Sequence, residues 1–115
     1  MTPGGDLASG RQAEDEAAAY LLAPGYTLIT RRYTVPGGEI DLIALGDGVL
    51  VFVEVKSSSR NADTALLQVD ERKRRRFLVA AERYLASTDF PGLPARCDII
   101  LVSPQGVQHL ADAFR

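Results

Sequence analysis

Asp41, Glu54 and Lys56 are the residues whose types and spacing could do chemistry. They lie in "EIDLIALGDGVLVFVEVK" (39–56), two alternating apolar stretches around Asp47-Gly48. An Asp-Gly dipeptide in that setting predicts a two-residue hairpin turn. Register then follows by symmetry: Gly46 opposite Val49, Leu45 opposite Leu50, Ile43 opposite Phe52, Asp41 opposite Glu54 and Glu39 opposite Lys56. Alternation puts the last four pairs on one face of the sheet. Ile40, Leu42, Ala44, Val49, Val51, Val53 and Val55 are expected on the other face. A strand buried near the turn therefore ends in charges, which is costly unless they are paired or bind a metal.

Two carboxylates facing each other at ~5 Å, with an effective dielectric of about 20, repel by roughly 3 kcal/mol. Lys56 is on the same face, but one ammonium cannot neutralise Asp41, Glu54 and Glu39 together. A divalent cation can, and hard oxygen donors suit Mg²⁺ or Mn²⁺. In an arbitrary hairpin such charges more often make a solvated polar end to a half-exposed sheet. Two features favour the metal site: a lysine two residues after an acid on one face, and a further carboxylate, Glu14, on a helix that must pack on this sheet.

The elements that would position these groups are readable in outline. Ser9 with Gln12 resembles a capping box, and "RQAEDEAAAYLLA" continues as a helix until Pro24-Gly25. Its apolar stripe is Ala13, Ala17, Ala18, Leu21 and Leu22, with Glu14 at the edge. "YTLITRRYTV" predicts a first strand, and the hairpin supplies the second and third. "SSSRNADTALLQ" is expected to be loop. A helix follows from about Asp70 to Ser87, with Phe77, Ala81, Tyr84 and Leu85 as its core face. "RCDIILV" predicts another strand, and "GVQHLADAF" a short last strand or an edge segment. The expected class is α/β, a mixed β-sheet flanked by helices in the order α-β-β-β-α-β, with room for one further short strand.

At 115 residues the chain is expected to form one domain, with residues 1–8 a mobile tail. Composition is ordinary for a globular protein, and a net charge of −2 exerts no global pull on nucleic acid. Cys97 and His109 are each the only residue of their type, which excludes an intramolecular disulfide and a cysteine-based zinc site. No apolar run reaches membrane-spanning length and the first residues do not resemble a secretory signal, so a soluble cytoplasmic protein is expected.

"GEIDLIA" (38–44) followed by "VFVEVKS" (51–57) resembles the PD-(D/E)xK nuclease signature. More closely, the chain resembles the YraN family of small predicted nucleases, related to archaeal Holliday-junction resolvases. "GRQAE" (10–14), Lys73 in a basic helix and "RCDIILV" (96–102) match as well, in order along most of the chain. Two departures stand out: the arginine usually found just after the strand lysine is displaced to Arg60, and Cys97 replaces an aromatic residue. The resemblance implies a restriction-endonuclease-like core and metal-dependent hydrolysis of DNA phosphodiesters, branched or flapped structures included. It implies that Asp41, Glu54 and the Val55 carbonyl hold Mg²⁺ or Mn²⁺. It further implies that Lys56 orients or deprotonates the attacking water, and that Glu14 acts through water or a second metal.

"DERKRRRF" (70–77) places five consecutive basic residues, Arg72 to Arg76, at a helix start. Lys73, four residues before Phe77, lies nearest the buried stripe and is expected to point toward the site. Arg72 and Arg76 are expected to contact nucleic acid, with Arg31, Arg32 and Arg60 extending the rim; a lone basic run is more often a solvated face. The rival reading is a nucleic-acid-binding or partner-binding module that keeps the fold and cuts nothing. A homodimer is left open, and His109 and Cys97 are assigned to structure.

Overall fold

In the computed structural model of the chain, which describes residues 5–57, 71–87 and 92–113, Asp47 and Gly48 both have positive φ, 52° and 74°. A type I′ hairpin turn needs that backbone pair. It produces the expected register from Gly46 opposite Val49 through Ile43 opposite Phe52 to Leu42 opposite Val53.

The elements run α1 (Gly5–Leu22), β1 (Thr27–Val35), β2 (Gly38–Gly46), β3 (Val49–Ser57), α2 (Glu71–Ser87), β4 (Ala95–Ser103) and β5 (Gly106–Leu110). The five strands form one sheet in the order β1-β2-β3-β4-β5. Only the β3–β4 pair is parallel. A parallel pair needs a crossover, and α2 lies in it. The outcome is the expected mixed sheet with two helices, compatible with a restriction-endonuclease-like fold, and the short last strand is present.

The sheet has two buried faces. On one, Ala13, Ala17, Ala18 and Leu21 of α1 pack on Leu42, Ala44, Val51, Val53, Ile100 and Val102. On the other, Phe77, Ala80 and Ala81 of α2 pack on Ile40, Ile43 and Phe52. The α2 backbone comes unusually close at Gly38, where a Cβ would lie 2.6 Å from the Arg76 carbonyl oxygen and 2.8 Å from the Ala80 nitrogen. Among the described residues no helix is long and apolar enough to cross a membrane.

Four expectations need correction. The first helix begins at Gly5, so Ser9 is inside it rather than capping it, and residues 5–8 are helical rather than part of a tail; Leu7 and Ala8 are strong helix formers. Leu22 is 52% exposed because Leu21 takes the buried position and the next residue turns about 100° away. Leu85, in the last turn of α2, is also exposed. Finally, Ile40 packs on the α2 face, not with Leu42 and Ala44. Alternation along β2 is broken at Asp41, which the β1–β2 register sets opposite Arg32, between the pairs Arg31–Leu42 and Tyr33–Ile40. Arg32 has φ 54°, a left-handed conformation unusual in a strand. The expected loop 58–69, and Asp70 at the start of the second helix, lie outside the described residues.

Candidate functional site

The β2–β3 ladder stops at Leu42–Val53. In an antiparallel ladder the next hydrogen-bonded pair would be Ile40 with Val55. Instead the Val55 N–H donates to Oδ2 of Asp41 at 2.8 Å. β3 meanwhile continues beside β4 as far as Ser57 opposite Val102. β2 thus parts from β3 at Asp41, and the aspartate side chain fills the backbone place that β2 has vacated. N–H and C=O of one strand residue face the same neighbour, so the Val55 carbonyl is directed toward the same gap. The expected direct pairing of Asp41 with Glu54 and of Glu39 with Lys56 is replaced by this divergence.

Glu54 is 2% exposed. Its Oε2 lies 2.5 Å from Nζ of Lys73, a short ion pair. Lys73 comes from the first turn of α2, and Glu39, Glu54, Arg72, Lys73 and Arg76 line a cleft of about 230 Å³. Burial, then the Glu54 charge, then that of Glu14 push the Asp41 carboxyl up to about 7, against the pull of the Val55 N–H and Lys73. Burial also raises Glu54, opposed mainly by Lys73 and then Lys56. Burial pulls the Lys73 ammonium down, but Glu54, Asp41 and Glu39 more than offset it, and its net shift is upward. Lys56 is half-buried one strand step beyond Glu54, on the same face by alternation.

Glu14 is close enough to Asp41 for its charge to be felt there, and it is itself paired with arginines. Its Oε1 accepts a hydrogen bond from Nε of Arg32 at 2.9 Å and lies 3.7 Å from Nη2 of Arg31, which also meets Asp15 at 2.6 Å. The structure therefore brings Asp41, Glu54, Val55, Lys73, Arg72 and Arg76 to one cleft region. It ties Arg32 to Glu14 at the adjoining edge, and Arg60 lies outside the described residues. Glu39 lines the cleft although sequence reasoning gave it no role of its own; its place opposite Lys56 in the hairpin register was the available signal.

Among the described residues no three His, Cys, Asp or Glu side chains close on one point. Mg²⁺ does not require that, since it keeps several waters and is commonly bound through one or two carboxylates. A buried carboxylate with a desolvated Oε2 and a half-buried one beside it, both with raised pKa, are a donor set that fits such an ion.

A second polar cluster lies on the α1 side. Asp98, fully buried, accepts from Nε and Nη2 of Arg96, from the Asp112 N–H and from Nε2 of His109 at 2.7 Å. Nδ1 of His109 meets the Tyr20 hydroxyl at 3.2 Å, and Arg96 reaches the Tyr26 hydroxyl. Burial raises the Asp98 carboxyl, but Arg96, the Asp112 N–H and His109 hold it below the usual aspartate value. These contacts pin β4, β5 and α1 together. Tyr33 and Tyr84 meet edge-on at 5.4 Å in the α2-side core, with Phe52 against Tyr84. Burial, then Asp98, pushes the Cys97 thiol up to about 11, leaving it protonated and unreactive at neutral pH.

The signature of the uncharacterised protein family UPF0102 matches residues 13–102, from α1 through β4. The chain belongs to the UPF0102 family. This is the YraN family whose motifs its sequence resembles. A UPF0102 protein of Rhodopseudomonas palustris (strain HaA2) is 43% identical over 108 residues, covering 92% of this chain and 84% of the relative. One from Paracidovorax citrulli is 46% identical over 112 residues, covering 93% and 82%. One from Hahella chejuensis is 38% identical over 109 residues, covering 91% and 88%. The similarity extends over nearly the whole chain, and these relatives' names state the family and no activity.

Proposed function

We propose that this UPF0102 protein is a metal-dependent nuclease that hydrolyses phosphodiester bonds in DNA, branched or flapped structures among them, in the cytoplasm. The observation that carries this reading is the Asp41 carboxylate seated where β2 leaves β3, on the Val55 N–H and beside the buried carboxylate of Glu54. Asp41, Glu54 and the Val55 carbonyl would hold Mg²⁺ or Mn²⁺. When bound, such an ion lowers the pKa of its water and offsets charge developing on the phosphate. Lys56, on the Glu54 face of β3, orients the attacking water and adds positive charge beside the phosphate. Arg72, Lys73 and Arg76 supply cations for the backbone of the substrate along the α2 side of the cleft. Glu14, restrained by Arg32, acts from the edge through water.

The second reading, a binding module that keeps the fold without cutting, is favoured by one observation: Lys73 and Arg32 already pair with Glu54 and Glu14. The two readings separate on a panel of labelled linear, flapped and four-way DNA and RNA substrates with Mg²⁺ or Mn²⁺. Asp41→Ala, Glu54→Ala and Lys56→Ala should each abolish cutting, with Lys56→Ala still binding metal. Full activity in highly purified Lys56→Ala protein would defeat the catalytic assignment of Lys56, and no cutting of any substrate by wild type with either metal would defeat the nuclease reading.

A further inference from the structure

We propose that Lys73 and a divalent cation are alternative occupants of the Glu54 carboxylate, so that metal binding releases the Lys73 ammonium to the substrate phosphate. The inference rests on the metal-dependent reading above and specifies how that same site changes hands.

A carboxylate as buried as Glu54 needs a positive partner. In the protein alone that partner is an ammonium at 2.5 Å on Oε2, on the carboxylate a metal would also need. An ammonium and a dication on one carboxylate would be near neighbours and repel, so one excludes the other. Lysine suits a temporary occupant, being a point charge on a flexible four-carbon stem. Its side chain is 48% exposed, so it reaches Glu54 from the mouth of the cleft rather than from within the core. The cleft it would swing through is bounded by Arg72 and Arg76, the side chains a phosphate would meet. The helix does not depend on the ion pair for its place. Phe77, Ala80 and Ala81 anchor it to the sheet, and its backbone rests against Gly38. Parting Lys73 from Glu54 therefore moves one side chain and leaves α2 seated.

The test uses a feature of the sequence: Lys56 and Lys73 are its only lysines. Acylation of the wild-type protein by an amine reagent can be followed at each by peptide mass spectrometry, with and without Mg²⁺. An ion-paired ammonium reacts slowly because only the free amine is a nucleophile. Saturating Mg²⁺ should speed acylation of Lys73 several-fold. A rate that is unchanged or slower would overturn the proposal. In parallel, Lys73→Gln removes the competing charge and should bind Mn²⁺ more tightly than wild type in calorimetric titration; equal or weaker binding overturns the proposal as well. Should wild type and Lys73→Gln both fail to bind Mn²⁺, the metal-dependent reading falls first and takes this inference with it. Wild-type binding that Asp41→Ala abolishes, together with unchanged Lys73 acylation, would sink the exchange alone.

Discussion

Replacing Asp41 by asparagine removes one charge while keeping an oxygen that can accept the Val55 N–H. Burial and Glu54 raise the Asp41 carboxyl from 3.8 to about 7 in the folded chain. At ~1.4 kcal/mol for each tenfold change, holding that charge in the metal-free protein costs up to ~4 kcal/mol; solvent reaching the half-buried side chain trims this to ~2–3 kcal/mol. The sign follows from the direction of the rise. A folded value above the unfolded one gives stability that is complete below about pH 4 and is lost as pH climbs through 7. Wild type in chelator should therefore weaken across that window, while Asp41→Asn should lack this component. The assay is urea unfolding of both at about pH 3.5 and 8.5 in chelator, where the difference between the two proteins cancels other titrating groups. Near-equal stability in acid and a ~2–3 kcal/mol advantage for Asp41→Asn in base are expected. Free Mg²⁺ at tenfold its dissociation constant should return ~1.4 kcal/mol to wild type and less to the variant. Asp41→Ala should gain less than Asp41→Asn, because it leaves the Val55 N–H without its acceptor at a cost of ~1–3 kcal/mol. Parallel pH profiles, or an asparagine variant weaker than wild type at high pH, would refute the placement of two acids in one buried site.

Neutralising Arg72, Lys73 and Arg76 together should weaken binding to all DNA sequences alike, and should flatten the plot of log affinity against log salt by ~0.9 for each phosphate that the protein no longer neutralises. Fluorescence anisotropy across a salt series would show it; an unchanged slope returns the cluster to a solvated face. Gly38→Ala sets a methyl against the α2 backbone at Arg76 and Ala80. It should cost ~1–3 kcal/mol in thermal unfolding and loosen the Lys73–Glu54 pair, read as faster acylation of Lys73 without metal. Asp98→Asn leaves Arg96 without its buried counter-ion and disturbs the contact with His109, and should cost ~3 kcal/mol. Since the Asp98 pKa is depressed, its contribution is present above pH 3.8 and is lost as pH falls through the lower folded value. The variant's deficit in unfolding free energy should therefore shrink in acid, opposite to the behaviour at Asp41.

The hairpin was legible because turn chemistry and alternation are local: Asp47-Gly48 set the register, and Leu42, Ala44, Val51 and Val53 followed it to the α1 face. Lys73 could be placed toward the cleft because Phe77, one helical turn on, had to face the core. What could not be read was the parting of β2 from β3. It coincides with a left-handed residue in the neighbouring strand, Arg32, whose type gives no hint of positive φ. The Arg96–Asp98–His109–Tyr20 network was equally hidden, since it joins residues 89 positions apart along the chain. Charge types and order along a strand are sequence properties, whereas the partner each charge finds is decided by packing.

The break in alternation falls where the site is. A regular β2 would have put the Ile40 side chain with Leu42 and its backbone on Val55, closing the ladder over the place where Asp41 now sits. Strained or irregular backbone that persists in a packed sheet is more common at functional positions than elsewhere. Here it gives one side chain two duties. The Asp41 carboxylate ends the ladder by taking the Val55 N–H, and it offers its remaining lone pairs to the gap that ending creates. Loss of activity in Asp41→Ala is consequently open to two explanations, a lost metal ligand or a collapsed gap. Asp41→Asn separates them: it keeps the acceptor and the gap while removing the charge. If activity disappears while folding stability at neutral pH rises, the charge is what the chemistry needs.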